Sequence, residues 1–383
     1  LPPERDRALP GHTDDVYQLL YTADGHTLVS TSRDLSLHWW RLPAAPDDPD
    51  ASLRGHRDTA YRIALLPDGT HVVSASYDQT VRLWPLAPCA PNTAGTMDTA
   101  CPAGRIIIEH PSPTRSVAVS PDGQLIASGN ADGEVRLWRP SGGPAPILHG
   151  PRGVIRALAF SPDGKTLAAG DERGELWRWD LTTAHPEAQR LPGTGKTVET
   201  LAYSHDGHLL ASADRDGAVR LWHTDTGALR VLGHHEGAVR DVAFAPHDQT
   251  LASAGEDGGV QLFDLPAGTG HLLGRHHESV HKLAYAPDGT LLASASQDHS
   301  VRLWHLPTRS LHQILWHEHE TTYVTFAPDG RTLAVAGTGG SVRLWPIDPT
   351  APPTEPAALR AWLLGLSTAR LGPRQRLATP PVD

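Results

Sequence analysis

The residues of this sequence that could do chemistry are histidines, serines and aspartates at fixed separations. Five times an aspartate follows a histidine by 22 residues, with a serine four residues before the aspartate and an aromatic residue six after it. These are the side chains of a hydrolytic catalytic triad. Because a catalytic site normally occurs once and lies in a cleft, five near-copies indicate a structural role. We therefore predict no catalytic residues and no enzyme. The pairs are His12/Asp34, His56/Asp78, His110/Asp132, His235/Asp257 and His276/Asp298.

Two further patterns suggest ligands. Residues 193–197 resemble the end of a phosphate-binding loop, but Arg190 stands where that motif requires glycine. The chain has 23 histidines, yet no zinc-type spacing with cysteines occurs, and adjacent histidines in a strand or loop rarely converge on one ion. We expect no cofactor and no metal site.

The histidine and aspartate positions belong to a phrase that occurs eight times, most clearly at residues 286–304. Successive copies are 41 to 54 residues apart, and a period near 41 is typical of four-stranded propeller blades. Alternating apolar residues and Pro-Asp-Gly turns predict an all-β fold of short strands. Each copy closes on an aromatic residue: Trp40, Trp84, Trp138, Trp179, Trp222, Phe263, Trp304 and Trp345.

The repeated phrase resembles the WD-repeat family over residues 1–348. The namesake pair survives only at Trp179-Asp180, with Phe263-Asp264 close to it, so the resemblance depends on spacing. It implies a closed eight-bladed β-propeller with four-stranded blades. The segment from Arg5 to Leu9 would supply the outer strand of the last blade, and this closure would remove exposed sheet edges.

In the family, the loop histidine, the serine, the aspartate and the closing tryptophan form a hydrogen-bonded tetrad, which satisfies polar groups that would be costly to bury alone. Units 4, 5 and 8 have lost members, with Arg173, Thr194 and Gly339 at three of the tetrad positions. The resemblance implies complete tetrads in units 1, 2, 3 and 7: His12, Ser30, Asp34 and Trp40; His56, Ser74, Asp78 and Trp84; His110, Ser128, Asp132 and Trp138; His276, Ser294, Asp298 and Trp304.

The composition and net charge of the chain argue against two classes of partner, nucleic acid and membrane. The formal net charge of −10 provides no basic footprint for nucleic acid. No apolar run approaches the roughly 18 residues of a membrane span, so we expect no membrane partner. The two cysteines, Cys89 and Cys101, lie in an insertion at 85–104 that reads as a solvated loop. So few thiols favour a reducing cytoplasm.

The sequence changes character after residue 348. We predict a Pro-rich linker and a short C-terminal α-helix within 349–383, opened by Thr354 and carrying an apolar stripe that includes Trp362. The stripe either packs on the propeller or binds a partner domain. This tail resembles those that follow WD repeats in large bacterial multidomain signalling proteins. That resemblance implies a regulatory protein, with an upstream domain of the same polypeptide as a candidate partner.

In the family, partners usually contact the top face of the ring, at positions counted from the loop histidine and the tetrad aspartate. Here those positions are rich in tyrosine and arginine, which dominate binding hot spots. We predict an interaction scaffold or ligand-sensing module that binds an acidic or phosphorylated peptide or protein. A sensor domain restraining a fused kinase, NTPase or protease, and a merely solvated rim, remain as alternatives. The predicted contact residues are Tyr17, Arg33, Tyr61, Tyr77, Arg115, Arg156, Arg215, Arg240 and His281.

Overall fold

A computed structural model describes residues 6–42, 51–86, 104–142, 146–183, 185–193 and 195–347. The insertion with Cys89 and Cys101, Thr194 and the predicted C-terminal helix lie outside the described residues. The proposed division at residue 348 therefore stays a prediction.

The described residues form eight antiparallel four-stranded sheets, each built from one copy of the repeated phrase. In seven of the sheets the strands follow the chain from the innermost strand outward, and in the eighth the outermost strand comes from the start of the chain. The strands of the first four blades are β2 to β5 (Val16–Tyr21, Thr27–Ser32, Ser36–Arg41, Ala51–Arg54), β6 to β9 (Ala60–Leu65, His71–Ser76, Thr80–Pro85, Arg105–Glu109), β10 to β13 (Thr114–Val119, Ile126–Asn130, Val135–Trp138, Ile147–Leu148) and β14 to β17 (Ile155–Phe160, Thr166–Asp171, Leu176–Asp180, Ala188–Leu191).

The remaining blades repeat this order, and blade 8 also contains a short 3-10 turn at Thr338–Gly340. Their strands are β18 to β21 (Val198–Tyr203, Leu209–Asp214, Ala218–His223, Leu229–His234), β22 to β25 (Val239–Phe244, Thr250–Gly255, Gly259–Asp264, Thr269–Arg275), β26 to β29 (Val280–Tyr285, Leu291–Ser296, Ser300–His305, Ser310–Trp316) and β30 to β32 (Thr321–Phe326, Thr332–Gly337, Val342–Pro346).

The ring closes as the sequence predicts. The N-terminal strand β1 (Arg7–Leu9) pairs antiparallel with β32, so blade 8 takes its outer strand from the start of the chain. Each innermost strand packs against those of both neighbouring blades, and β30 packs against β2. The Thr322 hydroxyl donates to the Val16 carbonyl at 2.6 Å across this closure. The fold is an eight-bladed β-propeller, and closure leaves no inner strand unpartnered.

The hydrophobic core lies between adjacent blades. Trp84, which is fully buried, packs with Leu37 and Leu53 of blade 1 and Val72 of its own blade. Burial of a tryptophan side chain contributes about 4–6 kcal/mol of transfer free energy. Gly274 allows a similar approach to Trp304, because a Cβ at that position would lie 2.6 Å from the ring. Each blade therefore depends on its neighbours for burial of its apolar surface.

Candidate functional site

Every innermost strand begins with a β-bulge, and the bulge determines which side chains lie at the mouth of the propeller. In β2, Val16 pairs with Ser32 and Gln18 with Thr31, so Tyr17 has no partner in the ladder. The same shift occurs at each of the other innermost strands. A bulge redirects its extra residue away from the regular pleat. The eight bulge residues, here called the top-face ring, are Tyr17, Tyr61, Arg115, Arg156, Glu199, Arg240, His281 and Thr322.

Six of the nine predicted contact residues lie in the top-face ring. The other three, Arg33, Tyr77 and Arg215, follow the second strand of their blades. In each case their backbone N–H donates to the loop beside the bulge: Arg33 to Asp15, for example, at 2.9 Å. The predicted residues therefore share one face, but they do not form one continuous cluster.

Blades 1 to 3 contribute a tyrosine cluster, defined by Tyr17, Tyr61, Tyr77 and Arg115. The Tyr61 ring lies 5.0 Å from the Tyr17 ring and 5.7 Å from the Tyr77 ring, nearly parallel to the latter. The Arg115 guanidinium donates to the Tyr61 and Tyr77 hydroxyls, each at 2.8 Å, and stacks 4.3 Å above the Tyr61 ring. Burial raises the pKa of Tyr17. All four side chains are half-buried, so the cluster is pre-ordered and still reachable from solvent.

Blades 4 to 6 contribute a Glu199 cluster, defined by Arg156, Glu199, Arg215, Arg240 and Glu256. One Glu199 oxygen accepts from Arg156 at 3.1 Å, and the other accepts from Arg215 and lies 3.8 Å from Arg240. Glu256 pairs with Arg240. Although burial acts in the opposite direction, the three guanidinium groups hold the pKa of Glu199 below its usual range. These arginines are largely neutralised by partners within the protein, which the sequence reasoning did not foresee.

The remaining predicted contacts lie at the margins. Arg33 is exposed, and its nearest described carboxylate is that of Asp14, at 4.0 Å. His281 is half-buried in the ring, where burial and the neighbouring Arg240 charge lower its pKa to about 4. The imidazole of His281 is therefore neutral near pH 7, and it adds no positive charge to the face.

A charged pair below the ring was missed by the sequence reasoning. Asp241 and Lys282 each follow the bulge residue of their own blade, and the Lys282 ammonium lies 2.9 Å from an Asp241 oxygen. Asp241 also accepts the Leu283 backbone N–H at 2.9 Å. Opposite charges at one repeat position of neighbouring blades are the signal that could have predicted this link.

The tetrads fall into distinct classes. Blade 2 has the complete chain: Trp84 donates to Ser74 at 2.7 Å, and His56 contacts Ser74 at 2.6 Å and Asp78 at 2.9 Å. Blade 7 has the same arrangement, with distances of 2.9, 2.7 and 3.1 Å among Trp304, Ser294, His276 and Asp298. Blade 6 keeps His235, Ser253 and Asp257 but places Phe263, which has no N–H, at the aromatic position.

Blades 1 and 3 depart from the expected complete tetrads. In blade 1, His12 contacts Ser30 at 2.6 Å and Asp34 at 2.9 Å, but Trp40 donates to the Pro10 carbonyl instead. The Trp40 prediction was therefore wrong.

In blade 3, His110 contacts Ser128 at 2.7 Å, but Asp132 is exposed and His110 Nδ1 has no partner among the described residues. Asn130 causes the change, because its side-chain oxygen accepts the Asp132 and Glu134 backbone N–H groups and directs the turn differently. No described hydrogen bond joins Trp138 to Ser128. The expected roles of Asp132 and Trp138 were wrong.

Comparison with known proteins agrees with this architecture. The family model described as "WD domain, G-beta repeat" matches eight segments, at residues 4–41, 48–85, 104–139, 142–180, 186–223, 227–264, 269–305 and 309–346. No curated protein gives a significant match to the chain. Among the described residues, no helix is long and apolar enough to span a membrane. Because the matched segments cover well over half of its length, the chain belongs to the WD domain, G-beta repeat family.

Proposed function

We propose that the protein is a non-enzymatic binding module whose top face holds an acidic or phosphorylated segment of a protein or peptide at the tyrosine cluster. WD-repeat propellers typically serve as interaction scaffolds. The observation that carries the proposal is the set of contacts made by the Arg115 guanidinium. Its guanidinium is fixed by two tyrosine hydroxyls and one ring face, and it forms no ion pair with a carboxylate of the described residues.

The other arginines of the face support this choice by contrast. The Glu199 cluster contains three guanidinium groups and two carboxylates, and each of its arginines already contacts a carboxylate. An incoming anion would have to displace those partners. Arg115 has no carboxylate partner among the described residues, and a guanidinium has five N–H donors, more than the two that donate to the tyrosine hydroxyls.

The tyrosines favour a protein or peptide ligand over a free anion. Three adjacent aromatic rings offer rigid, amphipathic contact area that orders at little entropic cost. Charge-assisted hydrogen bonds from arginine to carboxylate or phosphate then fix the position of the bound segment. We therefore expect an acidic or phosphorylated residue at Arg115, flanked by residues that pack on Tyr17 and Tyr61.

Selection from a random peptide library displayed on phage tests this function, followed by fluorescence anisotropy with the selected peptides. We expect enrichment of acidic residues and a dissociation constant at least about tenfold higher for Arg115→Ala or Tyr61→Ala, the scale of a hot-spot residue. Arg156→Ala is the matched control, because it removes an arginine of the same ring that is already paired. Equal affinities for the wild type, Arg115→Ala and Tyr61→Ala would refute the tyrosine cluster as the site.

The proposal extends to the cellular role of the protein and to the chemistry of its ligand. The cytoplasmic location, the acidic or phosphorylated nature of the ligand and the link to an upstream effector domain all remain predictions. Synthetic peptides with serine and phosphoserine at the acidic position would separate carboxylate recognition from phosphate recognition.

A further inference from the structure

Blade 1 differs from the other blades at one position of its third strand. His38 pairs with Ser30 there, at the position two residues before the closing aromatic. Five blades have arginine at this position, blade 4 has tryptophan and blade 6 has glutamine. Blade 1 is therefore the one blade of the eight with a second imidazole beside the tetrad. The arginines are Arg82, Arg136, Arg220, Arg302 and Arg343.

The substitution brings three metal-ligating side chains together. His12, Asp34 and His38 have donor atoms within 4.8 Å of one another. The His12 and His38 ring centroids are 4.3 Å apart, and His12 Nδ1 lies 2.9 Å from Asp34 Oδ2. Both imidazoles are buried, and the Asp34 side chain is only 9% exposed. Among the described residues, this is the one group that meets this geometry.

The absence of a neighbouring arginine on the third strand distinguishes the tetrad of blade 1 from those of blades 2 and 7. The Arg302 guanidinium, at the position equivalent to His38, lies 3.8 Å from the Asp298 carboxylate. In blade 6, which has glutamine at that position, Arg275 of the outer strand lies 3.0 Å from the Asp257 carboxylate. After burial, the charge of Arg82 is the factor that lowers the pKa of His56. A divalent cation beside such a guanidinium would be repelled. In blade 1 the same position holds an imidazole, which is itself a ligand.

The altered hydrogen bonding of blade 1 also suits a metal ligand. In blades 2 and 7 the serine hydroxyl accepts the tryptophan N–H. In blade 1, Trp40 donates to the Pro10 carbonyl, so the Ser30 oxygen is free of the indole and can accept a hydrogen bond from the N–H of His12 Nε2, 2.6 Å away. Metal-bound histidines commonly donate their other ring N–H to an oxygen in this way, which fixes the tautomer.

We propose that blade 1 binds one divalent transition-metal ion of the zinc class through His12 Nδ1, the Asp34 carboxylate and the His38 imidazole. Two nitrogen donors and one oxygen donor suit zinc and its neighbours better than magnesium or calcium. The ion takes the place of the proton between His12 Nδ1 and Asp34 Oδ2. The single proton of a neutral His12 imidazole then lies on Nε2, where it donates to Ser30, so binding at Nδ1 requires no net release of a proton. Because the ligands are buried, the ion is structural and fastens the loop of His12 to the third strand.

Titration of the untagged full chain with Co²⁺, followed by visible absorbance and by competition with Zn²⁺, tests the site. We expect one ion bound per chain and a rise in melting temperature on Zn²⁺ addition. His38→Arg should weaken binding by more than about 100-fold, beyond the cost of losing a supporting group. This variant should fold, because arginine occupies the equivalent position in five blades.

Asp34→Asn and Asp78→Asn form the matched pair for the same measurement. Both remove a tetrad carboxylate, so their effects on folding should be similar, but only Asp34→Asn should abolish metal binding. The other histidines of the chain are unchanged in every variant, so adventitious surface binding would appear equally in all of them. No ion bound by the wild type, or equal affinity in the wild type and His38→Arg, would overturn the proposal.

Discussion

Blades 2 and 5 both bury a carboxylate near the top face, but they satisfy it differently. In blade 2, Asp78 accepts hydrogen bonds from His56, Thr80 and the Arg57 backbone, which together outweigh burial and hold its pKa well below the usual range. In blade 5, Asp214 is fully buried, and one of its oxygens has no partner among the described residues. Burial raises the pKa of Asp214 to about 7, although Arg220 lies 2.7 Å away. The balance between burial and the hydrogen bonds received therefore decides whether each of these carboxylates stays ionised.

The largest expected difference between blades comes from Asp78 and Asp132, which share one position of the repeat. Asp78→Asn should lower the free energy of unfolding by about 3 kcal/mol, because it breaks a buried hydrogen-bonded network. Asp132→Asn should change it by less than about 0.5 kcal/mol, because Asp132 is exposed and does not reach His110. Urea denaturation of the two variants measures both effects. Equal losses would mean that Asp132 completes a tetrad after all.

A smaller effect is expected from the pH dependence of Asp214. Its pKa is raised from 3.8 to about 7 on folding, so the folded state holds an extra proton between these values. The stabilisation from that proton is present at low pH and is lost as pH rises through the folded pKa. We expect the stability of the wild type relative to Asp214→Asn to fall by about 2 kcal/mol between pH 5 and pH 7. Melting temperatures in matched buffers test this, and a constant difference across that range would contradict it.

The smallest expected effect concerns the tryptophans of the same two blades. Trp84 donates to Ser74, whereas Trp222 Nε1 is buried without a partner among the described residues. Trp84→Phe should cost about 1–2 kcal/mol, because it removes a buried hydrogen bond together with some packing. Trp222→Phe should cost less, because it also removes an unsatisfied donor. Chemical denaturation distinguishes the pair, and a greater loss for Trp222→Phe would show that blade 5 relies on its indole.

The repeat made most of the fold predictable. The sequence contains eight copies with a period near 41 residues, and each copy has a turn that ends in glycine or aspartate. This pattern predicts eight four-stranded blades. The sixth turn has Asp248 in place of glycine, and Asp248 adopts the same left-handed conformation, with φ of 53°. The strand from the N-terminus was predictable because every other outer strand precedes a loop of the same kind.

The residues of the candidate site could be predicted from the sequence, but the contacts among their side chains could not. Counting from the loop histidines located the top-face residues, because the repeat has a fixed register. The sequence could not show that Glu199 gathers three arginines while Arg115 stacks on Tyr61, since those contacts join different blades. The sequence also could not show which acceptor each donor would choose. Asn130 accepts the Asp132 backbone N–H and so changes the blade 3 turn, and the Pro10 carbonyl accepts the indole N–H of Trp40.

The sequence by itself determined the repeat length, the number of blades, the closing strand and the positions that form the top-face ring. Those properties follow from the local residue pattern and spacing, which recur in each copy of the repeat. Only the tertiary structure decided which charges are neutralised, which tetrads close and which imidazoles meet. Such outcomes depend on distances of about 3 Å between residues tens of positions apart, and one neighbouring side chain can redirect them.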